Sequence, residues 1–261
     1  MKKIITDTNI WYSITQEQVG EISKSYRLTL PITVLSELYT SPNMHKSPES
    51  LLALKKAVRM VLYNARFVDF IRFDPFEFIL SDVKTDLKPR LSVAWYLNEF
   101  ESLMNLDYNK LKSTHPERYD ISGLSNYVNE QSIQYKKRVD ADKISFKKLD
   151  TRKFTENYIL KLANDNLQSL NSSFPIIPNL DYEKHELLIN TFDDLLREIS
   201  KSGKKIRNND WIDMFNLTYV NNGDLYWTNE KSIIKSIQNV GLNHYLFQPD
   251  NLTATNNGLA Q

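Results

Sequence analysis

The stretch Ile4-Ile5-Thr6-Asp7-Thr8-Asn9-Ile10 decides how this chain reads. Lys2 to Thr6 is a short run of the kind that forms a buried strand. An aspartate follows at once, and Thr8 and Asn9 can cap a helix running on through Ile10, Trp11 and Ile14. A strand-to-helix turn accounts for this pattern in structural terms. A carboxylate at the end of so apolar a run also suits a functional group presented at a sheet edge.

Working outward, four more acids stand in related contexts. Glu37 lies in Leu30-Pro31-Ile32-Thr33-Val34-Leu35-Ser36-Glu37-Leu38, and Asp210 and Asp213 lie one helical turn apart in Asn209-Asp210-Trp211-Ile212-Asp213-Met214. Glu230 follows the strand-like Leu225-Tyr226-Trp227-Thr228. Open α/β sheets bind ligands outside the carboxyl ends of their strands, where strand order reverses. Carboxylates gathered there stay ionised only beside a compensating cation. Hard oxygen donors suit Mg²⁺ or Mn²⁺. The expected chemistry is metal-dependent hydrolysis.

The rest of the chain supplies a scaffold for that edge. Leu28 to Leu30 reads as a second strand, with Pro31 in the first turn of a helix that carries Val34, Leu35 and Leu38 inward and stops at Ser41-Pro42-Asn43. Leu51 to Tyr63 reads as a helix on the spacing of Leu54, Val58, Val61 and Leu62, and Phe67 to Phe73 as a third strand closed by Asp74-Pro75. From about residue 86 to 200 the sequence turns polar and helical. Tyr158, Ile159, Leu162, Asn166 and Leu170 mark one amphipathic face, and Leu188, Phe192, Leu195 and Ile199 another. Phe174-Pro175-Ile176-Ile177-Pro178 breaks the two apart. Helix then returns from Asp210 to Tyr219, ended by Asn221-Asn222-Gly223. A strand from Leu225 to Thr228, a helix from Glu230 to Val240 and a final strand from His244 to Phe247 follow. Alternating strands and helices predict a mostly parallel sheet. The expected organisation is an α/β core from 1–85 and 201–250, a helical insertion over 86–200 and a fraying tail over 251–261.

Composition sets the outer limits. A chain of 261 residues with 41% hydrophobic and 11% aromatic content can build a packed core. The net charge of +1 announces no global field, although a local basic patch suffices to hold phosphates. The absence of cysteine removes disulfides, thiolate metal sites and cysteine nucleophiles, and suits a reducing cytoplasm. The first residues become charged too soon for a signal peptide, and no segment nears the roughly 20 apolar residues that span a bilayer. A cytoplasmic location without membrane attachment is therefore expected. His45, His115, His185 and His244 form no zinc motif, and neither a phosphate loop, a serine nucleophile elbow nor a dinucleotide fingerprint is present.

Taken together, the motifs resemble the PIN-domain nuclease family. Its hydrophobic strand followed by Asp-Thr-Asn resembles Ile4 to Ile10, and its second acid after a Pro-hydrophobic run resembles Glu37. Its third, sometimes paired, acid opens a late helix as Asp210 and Asp213 do. Its last motif, a strand ending in Thr, one variable residue and an acid, resembles Tyr226-Trp227-Thr228-Asn229-Glu230. The likeness covers roughly the first third and the last quarter of the chain. It departs in having Glu230 where Asp is commonest and in the length of its insertion. The resemblance implies a three-layer α/β/α sandwich and Mg²⁺- or Mn²⁺-dependent phosphodiester cleavage, usually of RNA. Asp7, Glu37, Asp210, Asp213 and Glu230 would be the metal-binding and catalytic acids. An antitoxin-like protein or a second copy of the chain is a conceivable partner.

Asn9 is expected to support the acids by hydrogen bonding, and Thr228 either to cap the next helix or to orient a carboxylate. Glu230 can likewise serve simply to open that helix. Lys204, Lys205 and Arg207, just ahead of the third motif, are candidates for phosphate contact. The run Lys136-Lys137-Arg138, with Lys143, Lys147, Lys148, Arg152 and Lys153, reads instead as a solvated helical face. Two rival readings remain. One is a nucleic-acid-binding or interaction protein with little catalysis on the same scaffold. The other is a haloacid-dehalogenase-like phosphatase, which needs an Asp where this chain has Asn9.

Overall fold

The structure, a computed structural model, describes residues 1–108, 137, 151–202 and 208–249, with backbone alone at 202 and 208–211. Its centre is a four-stranded, all-parallel sheet in the order β3-β2-β1-β4, formed by β1 (Lys2–Thr6), β2 (Tyr26–Pro31), β3 (Asp69–Ile71) and β4 (Leu225–Trp227). The chain steps outward from β1 to β2 and β3, then returns to place β4 on the other flank of β1. Ile4 pairs with Leu28 on one side and Leu225 on the other, and Thr6 pairs with Trp227. Strand order therefore reverses at β1, with Asp7 the first residue beyond its carboxyl end.

The pleat assigns each strand residue to one of two cores, because successive side chains point to opposite faces. Ile4, Leu28, Leu30, Leu225 and Trp227 enter one core with helices α1 (Thr8–Trp11), α2 (Gln16–Ile22), α3 (Ile32–Tyr39), α4 (Asn43–Lys46), α5 (Pro48–Asn64) and α7 (Val93–Met104). Ile5 and Tyr226 enter the other, with α6 (Pro75–Leu80), α8 (Arg152–Leu170), α9 (Glu186–Ser202), α10 (Asn208–Asn216) and α11 (Lys231–Asn239). The result is helix, sheet and helix in three layers. Both sheet faces are covered, as the continuous apolar runs of a parallel sheet require.

The segment 86–200, expected as an insertion beside the sheet domain, contributes helices to both layers. Helix α7 packs on α3 and α5, while α8 packs on α6 and α9, and α9 on α10 and α11. A buried polar clip ties α8 to α9. Asp193 accepts hydrogen bonds from Thr151, from Thr155 at 2.8 Å and from Arg197 Nε at 2.6 Å. The predicted α9 stripe of Leu188, Phe192, Leu195 and Ile199 is buried throughout. On α8 the buried stripe is Thr155, Ile159, Leu162, Ala163 and Leu167, whereas Leu170 is exposed at the helix end.

Several local expectations are corrected. Asp7, not Thr8 or Asn9, is the N-cap of α1. Pro31 ends β2 and caps α3 rather than sitting inside its first turn. Helix α3 stops at Tyr39, and Asn43, expected in a terminator, opens α4. Helix α2 was unmarked by apolar spacing; Thr15 and Gln18 start it with a reciprocal capping box. The final strand His244–Phe247 is instead a 3-10 turn over Asn243–Tyr245, followed by one parallel bridge from Leu246 to Tyr226. At Gly223 φ is +91°, the left-handed conformation that lets the chain turn from α10 into β4. No helix among the described residues is long and apolar enough to cross a membrane. Lys204, Lys205, Arg207, the basic residues of 136–148 other than Lys137, and the tail 251–261 lie outside the described residues.

Candidate functional site

Asp7 is 2% exposed and bound from three directions by neutral donors. Thr8 N donates to Oδ1 at 2.7 Å, and Oδ2 accepts from Asn9 Nδ2 at 2.7 Å and Thr228 Oγ at 2.6 Å. The arrangement follows from β1 and β4 lying side by side. Asp7 N donates to Trp227 O at 2.9 Å, which continues the ladder one residue past β1 and draws Thr228 alongside.

Each donor is itself held. Asn9 Oδ1 accepts from Asn229 N at 2.9 Å, which fixes its amide with the nitrogen toward Asp7. Thr228 Oγ accepts from Glu230 N at 2.9 Å and from Asn9 Nδ2 at 3.2 Å while donating to Asp7. A hydroxyl has one proton and two lone pairs, so this one is fully used. Asn9 and Thr228, named from sequence as supporting residues, are thus both brought onto Asp7.

Glu37 reaches the same place from the far end of β2. Helix α3 buries Val34, Leu35 and Leu38, leaving Glu37 half-buried on the flank toward α1, where Thr8 Oγ donates to its Oε2. Asp7 and Glu37 are therefore linked through the backbone N–H and the hydroxyl of Thr8, a residue that sequence reading treated only as a helix cap. Crowding by protein pushes the Glu37 carboxyl up to about 8, with the charge of Asp7 adding to it and the Thr8 hydrogen bond opposing. Burial likewise raises Asp7; the bonds from Thr228, Thr8 and Asn9 pull it down, and the charge of Glu230 pushes it up. Among the described residues no lysine or arginine pairs with either acid.

The remaining predicted acids divide. Asp213 sits half-buried on α10, and its charge acts with those of Asp7 and Glu37 on the buried Tyr226 phenol. Asp210 occupies the backbone one turn earlier in α10. The last turn of α10 is tied to α3, because Thr33 Oγ donates to Asn216 Oδ1 at 2.6 Å. Glu230 is turned toward its own helix: it is the N-cap of α11, and its Oε1 accepts from Ser232 Oγ at 3.0 Å. Its charge is still felt at Asp7.

Tyr226 was read only as a strand residue. Its ring is fully buried between the sheet and the α9–α10 layer, and its hydroxyl has no hydrogen-bond partner among the described residues. Sequence parity marks it, since residues 226 and 228 share a strand face.

The donor set suits a divalent cation in chemistry. It consists of carboxylates and hydroxyls, with no lysine or arginine among the described residues to offset the negative charge of Asp7 and Glu37. In geometry it is incomplete, as no three described acids or histidines converge on one point. Asp7 and Glu37 would hold the ion, while Asp213 lies on α10, in the helical layer that covers the Ile5–Tyr226 face of the sheet. No family model matches this chain, and neither a curated protein nor a solved structure shows significant similarity to it.

Proposed function

We propose that this protein is a metal-dependent endonuclease of PIN-like architecture, hydrolysing phosphodiester bonds with RNA as the expected substrate. The observation that carries the reading is the buried Asp7 at the strand-order reversal, joined through Thr8 to Glu37, with no lysine or arginine paired to it among the described residues. Two acids raised by burial, Glu37 also by the charge of Asp7, form a site that gains stability when a divalent ion arrives.

Asp7 and Glu37 would hold Mg²⁺ or Mn²⁺, and Asp213, with Asp210 one turn earlier on α10, would supply further acids. A bound ion of this kind supplies a water acidified for attack and a positive charge beside the phosphate. The chain's own residues supply position. Thr228 and Asn9 hold Oδ2 of Asp7, and the Thr8 backbone N–H holds Oδ1. Thr8 holds Glu37 against α1. Lys204, Lys205 and Arg207 precede α10 in sequence and would steer the phosphate backbone.

Asn9 weighs against the phosphatase reading. Its amide donates to Asp7 and cannot transfer a proton as an aspartate at that position would. The test is cleavage of mixed RNA and DNA with Mg²⁺, with Mn²⁺ and with neither, beside Asp7→Asn. Metal-dependent cleavage lost in the variant supports the proposal. Nucleic-acid binding without cleavage would favour the binding protein, and absence of both would remove the reading.

A further inference from the structure

We propose that Tyr226 is a positioning residue of this centre, whose hydroxyl donates a hydrogen bond to a water shared with Asp7 and Asp213. The inference rests on the metal-dependent reading above and deepens it.

The geometry begins with parity. Ile5 pairs with Tyr226 in the β1–β4 register, and Thr6 pairs with Trp227. Asp7 and Thr228 therefore come next in the same row, above Tyr226 and on the same sheet face. That face is covered by α10, the helix carrying Asp213. The phenol stands beneath the carboxylates, close enough to feel the charges of Asp7, Asp213 and Glu37. Thr228 approaches it, but with its proton committed to Asp7 and both lone pairs filled it leaves the phenol unsatisfied.

An unpaired buried hydroxyl is costly, and native interiors rarely retain one. The other buried tyrosines at this depth are satisfied: Tyr219 donates to Phe73 O at 3.0 Å, and Tyr245 donates to Glu186 at 2.9 Å. The Thr191 and Thr218 hydroxyls also lack a partner among the described residues, but Tyr226 differs in standing beside the charges of Asp7, Asp213 and Glu37. A water is the natural occupant between a donor below and carboxylates above, because it can accept from the phenol and donate to the acids. When a divalent ion is bound, such a water belongs to its hydration shell. The phenol then orients that water and the carboxylates without touching the ion. Outer hydrogen bonds of this kind hold ligands in place and influence metal affinity. A phenol is protonated at neutral pH, so the donor is available throughout the working range.

The test compares wild type, Tyr226→Phe, Asp7→Asn and Tyr245→Phe, reading Mn²⁺ affinity by calorimetry and metal-free melting temperature. Tyr226→Phe should weaken Mn²⁺ about tenfold and melt no lower than wild type, since it deletes only an unsatisfied group. Tyr245→Phe, which loses a real hydrogen bond, should melt lower and keep wild-type Mn²⁺ affinity. Equal Mn²⁺ affinity in Tyr226→Phe and wild type would overturn the role of Tyr226 while leaving the metal site standing. A marked fall in the melting temperature of Tyr226→Phe would also overturn it, by showing that the hydroxyl is satisfied structurally. Failure of wild type to bind Mn²⁺, or full binding by Asp7→Asn, would overturn the metal reading and this inference with it.

Discussion

Thr228 donates its hydroxyl proton to Asp7 Oδ2 at 2.6 Å across a separation of 221 positions, and the same oxygen accepts the Glu230 backbone N–H. Thr228→Ala removes these two bonds at the Thr228 Oγ together with the longer one from Asn9 Nδ2. Net losses of roughly 1 kcal/mol per bond predict a melting temperature several degrees lower. Cleavage should fall with it, because Asp7 loses the donor that fixes Oδ2. Thr228→Ser keeps the hydroxyl and should restore most of both, as read by thermal melts and cleavage assays on the two variants.

Asp7→Asn should abolish cleavage, at least about a hundredfold, while changing stability little. Two effects oppose. The variant loses a buried charge, which favours it. It also turns an amide N–H₂ toward donors, and Asn9 cannot flip to accept because its Oδ1 is held by Asn229 N. Thr228 can reverse its hydroxyl and accept. A metal-free melting temperature within a few degrees of wild type is the expected balance; a collapse accompanied by intact activity would make Asp7 a structural residue.

Stability without metal should fall as pH rises. Glu37 is raised from an ordinary 4.5 to about 8, and Asp7 is also raised. Between those values the folded protein retains protons that the unfolded chain releases, so the slope of stability against pH is negative there. The contribution is complete below the lower value and gone above the upper one. Mn²⁺ binds the ionised acids, so its stabilisation should grow across the same window. Melting curves from pH 5 to 9, with and without Mn²⁺, check both trends; a metal-free stability that rose across this range would contradict the assignment.

Glu230→Ala should separate capping from ligation. As an N-cap its loss costs about 0.5–1 kcal/mol, and with its carboxylate on Ser232 it should reduce Mn²⁺ affinity less than Asp7→Asn does. An equal loss in the two variants would show that Glu230 swings onto the ion.

The clip between α8 and α9 gives a prediction remote from the acids. Asp193→Ala leaves Arg197 without its carboxylate and two threonines without their acceptor. A cost of about 2–3 kcal/mol is expected from the loss of three hydrogen bonds to one buried carboxylate. Mn²⁺ affinity in the folded fraction should be unchanged, which calorimetry at low temperature can measure.

Much of this architecture was legible because apolar runs and punctuation are local signals. The run before Asp7, the spacing of Leu54, Val58 and Val61, and the break at Pro175 and Pro178 each correspond to an observed element or boundary. What escaped was set by partners distant in sequence. Helix α7 shows no strong stripe of its own until α3 and α5 give Tyr96, Phe100 and Leu103 somewhere to pack. The stretch around Leu246 looks like a strand in composition, yet only one residue bridges, because the 3-10 turn at Asn243–Tyr245 takes up the chain before it. At the site, the acids were visible as acids. Their supporting hydroxyls on Thr8 and Tyr226 were not, since a threonine after a strand suggests a cap and a tyrosine within one suggests packing.

The β1–β4 pairing also sets a schedule. Asp7, β2 and the Glu37 helix α3 are synthesised well before β4, which brings Tyr226 and Thr228 to the flank of β1. Until then the nascent molecule carries its acids on an open strand edge, with Asp7 held only by its immediate neighbours. A polypeptide that stops short of Leu225 therefore retains Asp7 and Glu37 but lacks Thr228, Glu230 and the strand that sets them beside Asp7.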